Sequence, residues 1–183
     1  MLPEDAGRVL LPLARAAIAA EFDLSRPEPS AAWLGEPGAS FVTLTIDGQL
    51  RGCIGSLLAY QPLGIDVQQN ARRAAFQDRR FPPLTQGEFS QTTIEVSVLT
   101  APERIEFTGL ADAQRQLQPG IDGVTLQRDG HRATFLPQVW KQLPKPAAFL
   151  RALCEKAGLA GWEDGVALER YRVQAWKEEH LPE

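Results

Sequence analysis

The chain has 183 residues, 44% of them hydrophobic and 23% charged, an ordinary globular composition and enough length to bury roughly 70% of the unfolded surface. A net charge of −4 disfavours nucleic-acid binding by bulk charge, and two cysteines with two histidines exclude a disulfide framework and a CxxC-type zinc site. No signal-peptide pattern opens the chain and no apolar run approaches the roughly 20 residues of a membrane span, so a reduced, cytoplasmic protein off the membrane is expected.

The first element is a helix between Glu4 and Phe22, with Val9, Leu13, Ala16, Ala17 and Ala20 at helical spacing. Pro12 lies inside it and predicts a kink or a restart. Residues 24–38 carry prolines and glycines and read as a surface loop pinned by Trp33 and Leu34. Two alternating runs, 40–46 and 49–54, flank Asp47-Gly48, the signature of a two-residue type I′ hairpin. An unbroken register pairs Val42 with Cys53, Leu44 with Arg51 and Thr45 with Leu50. Arg51 and Cys53 then share one face, and Gly52 and Ile54 the other.

Pro62 suits the start of a helix whose apolar side is Leu63, Val67, Ala71, Ala74 and Ala75, ending near Asp78. A loop follows at Arg79-Arg80-Phe81-Pro82-Pro83. Residues 93–100 form a strand, with Ile94, Val96 and Val98 facing one way and Glu95, Ser97 and Leu99 the other. A second hairpin turns at Asp129-Gly130, with Val124, Leu126, Ala133 and Phe135 on its apolar face. A helix from Pro146 carries Phe149, Leu150, Leu153, Cys154 and Ala157 and stops at Gly158. Residues 167–176 read as one last strand. Hairpins mixed with helices predict an α+β fold with a mainly antiparallel sheet flanked by helices.

The chemistry concentrates in Arg51-Gly52-Cys53-Ile54-Gly55-Ser56. Two glycines in a strand admit another backbone or a ligand. A thiol between them, with a guanidinium about 7 Å along the same face, reads as a nucleophile or a ligand-facing group; the alternative is a small packing residue. Glu95, a charge in an apolar strand, needs a partner if its face is covered, and Arg51 is the obvious cation; the alternative is an exposed face. Asp78-Arg79-Arg80-Phe81 can clamp an anion and stack a ring, or simply end a helix. His131 belongs at a hairpin tip and His180 in the tail, so a general base for Cys53 is sought among carboxylates, Glu95 or Asp78. Cys154 reads as packing.

Leu50-Arg51-Gly52-Cys53-Ile54-Gly55 resembles the signature of the AMMECR domain family. The similarity continues through Asn70-Ala71, Ala74-Ala75-Phe76, Asp78, Arg80-Phe81-Pro82-Pro83-Leu84 and the strand from Ile94. Farther on come Leu136-Pro137-Gln138-Val139 and the helix with Phe149-Leu150 and Leu153-Cys154. These motifs run in order from about residue 8 to 176 and look most like the bacterial AmmeMemoRadiSam system protein A branch. Arg79 departs from the family, which usually has proline there. The resemblance implies an α+β fold of two lobes with a cleft between them. The expected larger sheet lobe is 8–100 with 167–176, and the smaller lobe 105–160. It also implies association with Memo-like and radical SAM proteins, and binding of a nucleotide, a peptide or nucleic acid, the last disfavoured by the acidic balance.

The expected site therefore comprises Cys53, Glu95 and Asp78 as catalytic groups, and Arg51, Arg80, Phe81, Gly52 and Gly55 as substrate-binding ones. Metals and cofactors are expected to be absent. Two functions compete: a thiol enzyme acting on a small organic or modified amino-acid substrate, and a non-catalytic module for a nucleotide, peptide or protein.

Overall fold

The computed structural model describes residues 1–179, so His180 lies outside it. Over the described residues the fold is α+β, with two four-stranded sheets and five α-helices. The chain divides into two compact units: Met1–Thr100 together with the stretch from Gln174, and Ala101–Val173.

In the first unit, α1 (Gly7–Ala19) and α2 (Leu63–Phe76) pack on one face of a sheet. That sheet has the order β2-β1-β3-β8, from β1 (Ala39–Ile46), β2 (Gln49–Gly55), β3 (Thr93–Leu99) and β8 (Val173–Lys177). Helix α1 runs without a restart across Pro12, which lies on its exposed side, where the carbonyl that proline leaves unpaired is not trapped in the core. Leu10, Leu13, Ala17, Val67, Ala71 and Ala74 meet Val42, Leu44, Ile94 and Val96 in one apolar cluster, which Trp33 and Leu34 of the early loop also join. A short helix, α3 (Gln86–Phe89), begins with a capping box between Thr85 and Glu88.

In the second unit, β4 (Glu103–Ile105), β5 (Gly123–Arg128), β6 (His131–Phe135) and β7 (Ala167–Tyr171) form a sheet of order β4-β7-β5-β6. Helices α4 (Leu110–Gln116) and α5 (Pro146–Lys156) supply the rest of its core. Trp140 stacks on Phe149 with ring centroids 3.7 Å apart and donates its indole N–H to the Asp122 carbonyl at 2.7 Å. Cys154 is completely buried in this core, as a packing residue should be.

Both Asp-Gly turns are present, with positive φ at Asp47, Gly48, Asp129 and Gly130, as type I′ turns require. Two expectations need correction. The last strand is two strands: the chain breaks at Arg172, β7 belongs to the second sheet and β8 to the first. The first hairpin keeps its expected register only next to the turn. Thr45 pairs with Leu50, but Leu44 pairs with Gly52, Thr43 with Cys53 and Val42 with Ile54, so Arg51 is the unpaired residue of a β-bulge. A one-residue slip exchanges the faces. Cys53 therefore stands beside Thr43, and Gly52 joins Val42 and Leu44 on the helix-covered side.

Candidate active site on the open sheet face

Strand β2 is an edge strand, and its packing explains its glycines. A Cβ on Gly52 would lie 2.1 Å from the backbone oxygen of Ala74, so α2 rests directly on the strand there. A Cβ on Gly55 would lie 2.2 Å from the ring of Phe41, which folds across that position. The protein itself thus fills both spaces that the sequence offers to a ligand.

The bulge carries Arg51 away from the thiol. Its guanidinium bonds Glu88 through Nε at 3.0 Å and Nη2 at 3.1 Å, and Nη2 also reaches the Pro82 carbonyl at 3.0 Å. The expected Arg51–Glu95 pair is not formed. Glu88, which the sequence reading did not single out, takes the cation, and its capping box with Thr85 was the signal that could have marked it. The charge-assisted bonds from Arg51, helped by the Thr85 backbone N–H, hold the Glu88 carboxyl down at about 2.

Asp78 and Arg80 act on the backbone of Cys53. Asp78 Oδ2 accepts the Cys53 N–H at 3.0 Å, and Arg80 Nη2 donates to the Cys53 carbonyl at 3.3 Å. The two side chains pair at 2.7 Å, Asp78 only 5% exposed and Arg80 57% exposed. Together they supply the acceptor and the donor that a neighbouring strand would supply. The bond from Arg80 holds the Asp78 carboxyl far below the usual carboxylate range against the opposing effect of burial. Phe81 lies between two guanidinium groups, 5.8 Å from Arg51 and 5.6 Å from Arg80.

Because the Cys53 N–H points outward to Asp78, Cys53 and Thr43 form a non-hydrogen-bonded pair, the kind that brings side chains closest. Cys53 Sγ lies 3.1 Å from Thr43 Oγ1, its one polar contact among the described residues, and either atom can donate. Across Thr43 on β3 stands Glu95. Phe41, Thr43, Cys53, Glu95 and Ser97 are all half-buried and alternate with the buried residues of the helix-covered face. Glu95 is therefore on the open face, two strands from Cys53, about 10 Å away, and bridges to neither Arg51 nor the sulfur. His131 is exposed at the tip of the second hairpin, its Nδ1 3.0 Å from the Ala157 carbonyl.

A buried polar cluster behind this face escaped the sequence reading. Asp66, fully buried in the first turns of α2, accepts from the Ser40 N–H and hydroxyl at 2.8 and 2.7 Å. It also accepts from Ser56 Oγ at 2.7 Å, Gln61 Nε2 at 3.0 Å and Asn70 Nδ2 at 3.0 Å. These bonds fasten the ends of β1 and β2 to the helix. Asp66 and Asn70, one turn apart on the apolar side of α2, were the visible sign of it.

The paired carboxylates make stability fall in acid. A group whose folded pKa is depressed contributes above its unfolded pKa, roughly 4, and its contribution fades as pH drops through the folded value. Expected in an acid titration followed by circular dichroism is a loss of stability from about pH 4 down to about 2. Glu88→Gln should flatten part of that slope, a part kept modest by solvent screening because the Glu88 side chain is 35% exposed.

Comparison with known proteins gives a consistent result. The AMMECR1 family model matches residues 11–176. A protein of Methanothermobacter thermautotrophicus is 34% identical over 186 residues, 97% of each chain. One from Saccharolobus solfataricus is 35% identical over 193 residues, 97% of this chain and 83% of its own. The crystal structure of an uncharacterised protein from Pyrococcus horikoshii superposes with a TM-score of 0.80 at 30% identity, covering 97% of this chain and 94% of that one. With a family model spanning 11–176 and relatives of this identity and coverage, the chain belongs to the AMMECR1 family.

Proposed function

We propose that the chain acts through the Cys53 thiol on a small organic ligand held on the open face of the first sheet. One observation carries this reading. Arg51, Gly52, Asp78 and Arg80 are spent on fixing the strand around Cys53, yet the side chain of Cys53 is left half-exposed with only a hydroxyl in hydrogen-bond reach among the described residues. A merely structural cysteine needs no such support, as fully buried Cys154 illustrates. Asp78 and Arg80 are then positioning residues, acting through the backbone of Cys53. The finer placement in the AmmeMemoRadiSam branch, with Memo-like and radical SAM partners, belongs to the same proposal.

The second reading, a non-catalytic binding module, draws on the fact that the Thr43 hydroxyl is the one hydrogen-bond partner of the sulfur among the described residues, with no carboxylate or histidine bonded to it. Alkylation by iodoacetamide separates the thiol site from packing, with Cys154 as an internal control whose thiol is pushed up by burial. In the native protein Cys53 should be modified at least tenfold faster than Cys154, and Cys53→Ser should fold normally. Equal inertness of both thiols until unfolding would overturn the thiol reading and leave the binding module.

A further inference from the structure

The charges around Cys53 divide into spent and unspent. Arg51 is neutralised by Glu88 and Arg80 by Asp78. Glu95 makes no ion pair or hydrogen bond with any described residue, although it is half-buried on an open face.

The neighbouring strand supplies a second unspent charge. Glu178 donates its N–H to the Ile94 carbonyl at 2.9 Å. With that contact at the start of β3, residues 173–177 lie alongside β3 only if β8 runs antiparallel to it; a parallel β8 would run past residues before Thr93. Lys177 therefore stands beside Glu95. The alternate residues on β8 face the N-terminal segment: Trp176 Nε1 donates to the Glu4 carbonyl at 2.8 Å, and Gln174 Oε1 accepts the Leu2 N–H at 2.9 Å. By alternation Lys177 points to the other side, the face of Cys53. It is exposed and pairs with no described residue.

One cross-strand row thus carries a thiol, a hydroxyl, a carboxylate and an ammonium, at Cys53, Thr43, Glu95 and Lys177. Adjacent strands are about 4.8 Å apart, so the row spans roughly 14 Å. We infer that this row takes a zwitterion of the free α-amino-acid type: its ammonium on Glu95, its carboxylate on Lys177, and its side chain lying over Thr43 toward Cys53. An amino acid carries its two charges on adjacent carbons, which suits opposite charges on adjacent strands. An unblocked peptide holds them at least one peptide unit apart, and an acylated amine lacks one of them. The inference rests on the reading of Cys53 as the working group and names the ligand class for it.

The test uses the full chain and the common free L-amino acids as probes, up to about 10 mM, a concentration above the Kd of roughly 1 mM for weak specific recognition. Binding is read twice: as protection of Cys53 from iodoacetamide, and as shifts in the amide resonances of Thr43, Glu95 and Lys177 in the Cys53→Ser protein. At least one amino acid should protect Cys53 fivefold or more in a saturable way. Its N-acetyl and carboxamide derivatives, and the variants Glu95→Gln and Lys177→Gln, should each weaken binding about tenfold. Absence of any resonance shift, or equal binding by the N-acetyl derivative or by both variants, would overturn the ligand class and leave Glu95 and Lys177 as an ordinary cross-strand surface pair. Resonance shifts with an inert Cys53 would support the ligand class while overturning the thiol reading. A reactive Cys53 with no amino acid bound would do the reverse.

Discussion

The Gly52→Ala variant is expected to lose about 3 kcal/mol of stability. The new methyl carbon would sit 2.1 Å from the Ala74 oxygen and 3.0 Å from its carbonyl carbon, both backbone atoms that no rotamer change can move. The strand cannot retreat, because Gly52 is paired with Leu44 and its neighbours are tied to Glu88 and Asp78. Helix α2 cannot retreat either, because Asp66 anchors it to Ser40 and Ser56. Restricting the unfolded chain returns at most about 1 kcal/mol. Urea unfolding checks this, with Gly87→Ala as the control, since a Cβ there meets nothing within 4 Å. A loss below about 1 kcal/mol at Gly52 would mean that α2 slides freely on β2.

Asp78→Ala is expected to cost about 2–3 kcal/mol and to make the protein self-associate. It strands the Cys53 N–H, an edge donor now answered only by Asp78, and frees Arg80. The lower part of the range for broken ion pairs applies because Arg80 is 57% exposed and screened by water. Asp78→Asn keeps an acceptor for the Cys53 N–H and should cost about 1 kcal/mol. Thermal unfolding measures both costs. Sedimentation at rising concentration reads the second effect, because an unpaired strand edge recruits other strands. A strictly monomeric Asp78→Ala protein would show that the edge is protected by something other than this pair.

Much of the fold was legible because its signals are local. Asp47-Gly48 and Asp129-Gly130 mark their hairpins, Pro62 and Pro146 stand at the starts of α2 and α5, and Ile94, Val96 and Val98 alternate as a half-covered strand must. The bulge at Arg51 was not legible. Nothing in the alternation of β2 marks an extra residue, and the contacts that stabilise it, Glu88 and Pro82, lie more than thirty residues away. That single slip moved Cys53 from the neighbourhood of Val42 to that of Thr43 and removed Arg51 from its face. The division of 167–176 between two sheets failed for a similar reason: residues on both sides of Arg172 continue one alternating pattern, and no glycine or proline marks the break. Of the expected site, Cys53, Asp78, Arg80 and Phe81 do gather, but through backbone bonds and ring contacts that a spacing argument cannot foresee.

The return of β8 to the first sheet has a consequence during synthesis. β3 is translated before all of Ala101–Val173, and the strand that covers its outer edge comes only after that stretch. At about 5–20 residues per second the ribosome needs on the order of 4–15 s to cross it. Through that interval the nascent first sheet has three strands, with β3 uncovered on the chain. The arrival of β8 is thus the step that completes the sheet, and a message stalled before it would leave a sticky, unfinished edge for chaperones to shield.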